Sequence, residues 1–160
     1  MSKIYVDEIA GIASPSTVAI PGHVIQTVDS KYTGESTTTS SSFGATSHSI
    51  TITPSSTSSK ILIHNDALVY NSAGTGQTKL ALYRSIGGGS ASIITASNGY
   101  GGVLNQANEG FGGVGISFLD SPATTNECVY TIYFKIITGG TGYYNFDSHT
   151  ATLVAQEIAG

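Results

Sequence analysis

At 160 residues, 39% of them hydrophobic, the chain is long enough for one domain with a real core. Only 10% of the residues are charged, against roughly 25% in ordinary soluble proteins, and 6 Lys+Arg against 10 Asp+Glu leave a net charge of −4, too few cations for phosphate recognition and so an argument against a nucleic-acid partner. A lone cysteine, Cys128, excludes an intrachain disulfide, and no stretch approaches the roughly 20 apolar residues that span a membrane.

Ser, Thr, Gly and Asn supply most of the polarity. Short hydroxyl side chains lose less entropy on ordering than lysine or glutamate stems, so this surface suits packing against copies of itself or a larger assembly. The expectation is a homotrimer with an apolar threefold core lined by strand residues. Asp7 and Glu8 stand where a signal peptide needs an apolar run, which predicts cytoplasmic synthesis.

Residues 1–21 read as an extended N-terminal arm. Ile4, Tyr5 and Val6 form a short strand candidate, Ile9 and Ile12 are apolar anchors, and Pro15 and Pro21 restrict the backbone and remove donors. An attachment arm is expected. The alternative is an edge strand added to the same domain.

From residue 22 to 160 one β domain is predicted. Strands are expected from His23 to Val28, and residues 34–42, dense in Thr and Ser, read either as a loop or as a strand with a polar outer face. Ile50 and Ile52 alternate with threonines, and a second run follows from Lys60 to Tyr70 beyond a turn rich in Pro and Ser, which reads as a hairpin. Lys79 to Arg84 alternates before the turn at Gly87, Gly88 and Gly89, with Ile93 and Ile94 after it.

Residues 95–115 break the regularity as a long glycine-rich loop, and loops of this length are usually functional or mobile. Tyr100, Asn105, Gln106, Asn108 and Phe111 are types suited to sugar or protein contact, since aromatic faces stack on apolar ring surfaces and amides hydrogen-bond hydroxyls. A plain connecting loop is the competing reading. Val114 to Leu119, Val129 to Ile137, Tyr143 to Phe146 and Ala151 to Ile158 complete the strand candidates. Roughly eight strands at short spacing, with no convincing helical period, predict an all-β fold, an antiparallel β-sandwich or jelly roll. Its predicted core is Ile50, Ile61, Ile63, Leu80, Leu82, Ile132, Phe134 and Leu153.

Catalytic constellations are missing from the sequence. There is no nucleophile elbow, no His-Glu-x-x-His, and no helix after the Gly87 to Gly89 run to make it a phosphate loop. Cys128 beside Glu127 has no cue for activation. His64 with Asp66, and Asp147 with His149, each put two ligand types two residues apart and on one face if in a strand. Such pairs are common on strands, so neither a metal nor a cofactor is expected. The acidic residues Asp66, Glu109, Asp120, Glu127, Asp147 and Glu157 are scattered, with no pair for glycoside hydrolysis.

The run from Gly22 to Val28, the stretch from Ile50 through Pro54 to Leu62, the segment from Phe118 to Thr125 ahead of the strand at Tyr130 to Lys135, and the closing Gln156, Glu157 and Ile158 together resemble the small structural proteins of tailed phages of marine bacteria and cyanobacteria. The resemblance covers almost all of residues 22–160. It implies a virion component, such as a fibre, fibre tip or head decoration, made in the host cytoplasm and partnered by other virion proteins of capsid, tail or fibre. It carries over no catalytic residue. Fibre proteins of this type commonly bear a long N-terminal shaft, whereas 21 residues precede the domain here, so a compact knob docked through its arm fits better. The second reading is a glycan-binding receptor module on the same scaffold, and an enzyme such as a polysaccharide depolymerase ranks third.

Overall fold

A computed structural model describes residues 21–104 and 111–160. Among these residues eleven strands are laid down in order: β1 (Val24–Tyr32), β2 (Ser36–Thr38), β3 (Gly44–Ile52), β4 (Lys60–Asn71), β5 (Gln77–Ile86), β6 (Ser92–Ile93), β7 (Gly101–Leu104), β8 (Phe111–Asp120), β9 (Cys128–Thr138), β10 (Gly142–Tyr144) and β11 (Ala151–Ile158), with one 3-10 turn at Phe146–Ser148. The strands form where β-branched and aromatic residues are concentrated, as in β9, whose Tyr130, Ile132 and Phe134 are buried. All pairings are antiparallel.

The strands fall into two sheets that stack as a sandwich. In the first, β4 pairs with β8 on one side and with β10 and β11 on the other, and β1 and β2 continue outward from those two. In the second, the order is β3, β9, β5, with both β6 and β7 beyond β5. Three pairs, β1 with β2, β6 with β7, and β10 with β11, each run along one strand position broken in the middle. Counted as positions in chain order, the sheets read 6-3-8-1 and 2-7-4-5. That is the double Greek key of a jelly roll.

Between the sheets alternate side chains of β3, β4, β9 and β11 are buried. All eight predicted core residues lie there, with Val69, Ile116, Tyr144 and Ala155 added. Full burial of one such aliphatic side chain contributes about 1.5–3 kcal/mol.

Two polar groups cross the core and tie the sheets together. At one end Asp120 Oδ2, on β8, accepts from Arg84 Nη1 of β5 at 2.6 Å and from the Tyr130 hydroxyl of β9 at 2.7 Å. Nearer the other end His48 of β3 is almost fully buried. Its Nε2 donates to the Ser30 carbonyl at 3.2 Å, which fixes the neutral tautomer, so Nδ1 accepts from the Tyr144 hydroxyl at 2.6 Å. Asn65 Nδ2 in turn donates to the Tyr144 oxygen (3.0 Å) and to the Thr152 carbonyl (2.9 Å). Burial holds His48 below the ordinary imidazole range and pushes Tyr144 well above the ordinary phenol range.

The expected hairpin of residues 49–70 is corrected by this topology. β3 pairs with β9 and β4 with β8, β10 and β11, so the two runs lie in opposite sheets. Residues 53–59 bridge the roughly 10 Å between stacked sheets and are pinned by Ser55, whose amide and hydroxyl donate to Glu157 Oε1 at 2.7 and 2.6 Å. The Gly87 to Gly89 turn does close a pairing, with Tyr83 opposite Ile93.

Candidate binding groove

The outer face of the first sheet carries a groove with the geometry of a binding site. It is built by the break between β10 and β11. Tyr144 lies opposite Val69 and Thr152 opposite Asp66, so residues 145–151 stand against only two positions of β4. The excess chain bulges outward. Asn145 (φ 58°), Asp147 (φ 59°) and Ser148 (φ 51°) take left-handed backbone conformations, which Asn and Asp tolerate better than other side chains and which cluster at functional sites. The buried Asn145 amide secures the turn, its Nδ2 within reach of the carbonyls of Tyr32 (3.0 Å), Gly34 (2.7 Å) and His149. The Asp147 amide donates to Glu35 at 2.9 Å.

This bulge forms one wall of an open groove of about 370 Å³ lined by Asp66, Ala67, Leu68, Phe111, Gly113, His149 and Thr150. Phe146, carried on the bulge, packs 4.5 Å from the Tyr70 ring and 5.4 Å from Tyr143, and Phe111 stacks on it at 6.3 Å. Tyr70 and Phe111 face each other directly across the β4–β8 pairing. Phe111 is nevertheless 61% exposed.

The floor is bare because β8 alternates glycines onto this face. Gly113 and Gly115 sit opposite Leu68 and Asp66. A Cβ at Gly113 would meet nothing within 4 Å, and its φ is an ordinary one, so neither backbone nor packing demands glycine there. Gly102 is the contrast, since a Cβ on it would lie 2.2 Å from the Thr78 carbonyl oxygen. Along the groove, His149 Nδ1 donates to the Phe146 carbonyl at 3.0 Å, and Nε2 is the other ring nitrogen, an acceptor whenever the ring is uncharged.

The residues nominated from sequence fare unequally. Phe111 lines the groove, but Tyr100 does not join it. Its hydroxyl donates to the Ser117 carbonyl, six residues further along β8 from Phe111, or roughly 20 Å at strand spacing. The single long loop is therefore corrected: β7 pairs with β5 and β8 begins at Phe111, so 101–104 and 111–115 are strand. Asn105, Gln106 and Asn108, and Ile4, Tyr5, Val6, Ile9 and Ile12 of the arm, lie outside the described residues. The two His/Asp pairs are regrouped, because the groove takes Asp66 from one and His149 from the other. Sequence reasoning missed Tyr70, Phe146, Gly113 and Thr150, and the spacing of Tyr143 and Phe146 after Gly139 and Gly140 was the local signal available.

Among the described residues no group of three or more His, Cys, Asp or Glu is placed to hold a metal ion, and no helix is long and apolar enough to cross a membrane. Cys128 is buried, its thiol held above the ordinary range by burial and directed to the Asn126 carbonyl, which makes it a poor nucleophile.

No protein-family model matches the sequence, and no curated protein does. Among solved structures, the chain is similar to one of infectious bursal disease virus, Gt strain, at 12% identity and a TM-score of 0.38, covering 100% of this chain and 43% of that one. A structure of the Gx strain gives 14% identity and a TM-score of 0.37, covering 89% of this chain and 35% of that one. The chain thus spans less than half the length of either viral chain.

Proposed function

We propose that this chain is a virion structural protein of a tailed phage, a compact jelly-roll knob that works as a homotrimer and docks on capsid, tail or fibre through residues 1–21. The observation that carries the reading is a set of apolar side chains on the outer face of the first sheet. Leu62 and Leu119 are directly opposite one another, Ile158 faces Val24 at the other side of the sheet, and Val24, Ile25 and Leu119 are 48%, 40% and 49% exposed. A strand face of this kind, on a chain with 10% charged residues, is suited to burial against a second copy. Jelly rolls serve viral shells and lectins alike, and that support is analogy at the level of fold. The order of sequence motifs shared with phage structural proteins supports the same reading.

Light scattering of the purified chain tests it, with a mass three times that of the monomer expected. Leu119→Asp should shift the population to monomer. A wild-type chain that stays monomeric at micromolar concentration would sink the proposal.

A second reading, a glycan-binding receptor-recognition module on the same scaffold, is favoured by one specific observation. Phe111 stands exposed over a bare glycine floor beside a pre-assembled aromatic cluster.

A further inference from the structure

We infer that the groove between β8 and the β10–β11 bulge binds a neutral saccharide, with Phe111 under the apolar face of a pyranose ring and Asp66, His149 and Thr150 at its hydroxyls. The inference deepens the receptor reading and rests on it for its biological role.

Four features converge on that ligand class. Phe111 exposes most of its ring yet is braced by Phe146, which is itself packed on Tyr70 and Tyr143, so the ring is in place before a ligand arrives and little entropy is lost on binding. Gly113 leaves open the space in front of it, although a side chain would fit. A glycine that a strand does not need often marks the close approach of a ligand or another backbone. Acceptors are set around this apolar plane. The Asp66 carboxylate makes no hydrogen bond or ion pair among the described residues, and His149 has Nδ1 occupied and Nε2 open. Sugar hydroxyls are the donors that match them. Finally, among the described residues Asp66 is the one lining residue with a fixed charge, and no described Lys or Arg lines the groove, so an anionic sugar would meet repulsion without a compensating cation.

The test is titration of the full chain, followed by NMR or calorimetry, with neutral gluco-, manno- and galacto-oligosaccharides and with sialyllactose and a sulfated oligosaccharide. At least one neutral probe is expected to bind. Phe111→Ala and Gly113→Val should each weaken it about tenfold or more, the loss typical of a hot-spot contact, while Tyr100→Ala leaves it within about twofold. Thermal transitions check that the variants fold, which the space around Gly113 and the exposure of Phe111 permit. Failure of every neutral probe at millimolar concentration, equal or better binding of the anionic probes, or undiminished binding by the folded Phe111→Ala and Gly113→Val chains would each overturn the inference. Adsorption of phage carrying Gly113→Val separates site from role. Lost adsorption with no neutral sugar bound overturns the ligand class and leaves the receptor reading standing. Sugar binding abolished by the variant with adsorption unchanged upholds the site and removes the receptor role.

Discussion

Replacing Asp120 by alanine should be among the most damaging single changes to this fold. Asp120 is 8% exposed, and one of its oxygens accepts from both Arg84 and Tyr130. Burial, followed by the Asp120 carboxylate, holds the Tyr130 phenol far above its ordinary range, so it remains a donor at any accessible pH. Removing the carboxylate leaves a fully buried hydroxyl without its acceptor, which costs about 1–3 kcal/mol, and removes a charged hydrogen bond of about 1.5–3 kcal/mol. The Arg84 side chain is 20% exposed and recovers part of its loss from water, which places the total at roughly 3 kcal/mol. For a domain of this size that lowers the melting temperature by about 6–12 °C. Urea unfolding of Asp120→Ala, Arg84→Met and the double variant is the assay. The double should lose less than the sum of the singles, because Arg84 without Asp120 is an uncompensated charge. A triple replacement by Leu, Met and Phe at 120, 84 and 130 should return to within about 2 kcal/mol of the parent. A loss below about 1 kcal/mol for Asp120→Ala, or strict additivity, would refute this account of the inter-sheet tie.

Acidification should weaken the fold through His48. Its folded-state pKa is depressed below 6.5, so the unfolded chain binds its proton first; the contribution is fully present above pH 6.5 and is lost as pH falls from there through the folded value. Urea midpoints measured between pH 7.5 and 5 should decline, and His48→Gln should flatten that slope. Asn145→Ala should destabilise by about 2–3 kcal/mol, since the two amide N–H donors shared among three backbone carbonyls are lost and alanine tolerates the left-handed conformation poorly; calorimetry checks it. Deleting residues 1–21 should leave 22–160 folded by circular dichroism while abolishing incorporation into particles, and loss of folding would favour the edge-strand reading of the arm.

The strands were legible because burial on one face leaves a period of two in the chain, as at Ile50 and Ile52 or Tyr130, Ile132 and Phe134. Which sheet each strand joins was not. β3 and β4 carry the same alternation whether they pair with each other or cross the sandwich, and the seven residues 53–59 serve either path. Phe111 could be picked out as an aromatic among glycines. Its neighbours could not, because Tyr70 reaches it through strand pairing and Phe146 through a bulge opposite β4, contacts between residues 41 and 35 positions away in sequence. Asn145 and Asp147 left a local trace, being the residue types that accept a positive φ, but nothing in their neighbourhood shows that the turn is bolted to Tyr32 and Gly34.

The break between β10 and β11 separates two tasks that most surface loops combine. Pairing of β10 with residues 69–71 and of β11 with residues 60–66 sets the alignment of β4 independently on either side, so a change in length between 145 and 151 need not propagate into a neighbouring strand. The segment could diversify under selection while the sandwich around it is inherited unchanged. For an engineer the same decoupling marks this stretch, rather than any hairpin tip, as the position at which a foreign peptide can be displayed beside a ready-made aromatic surface.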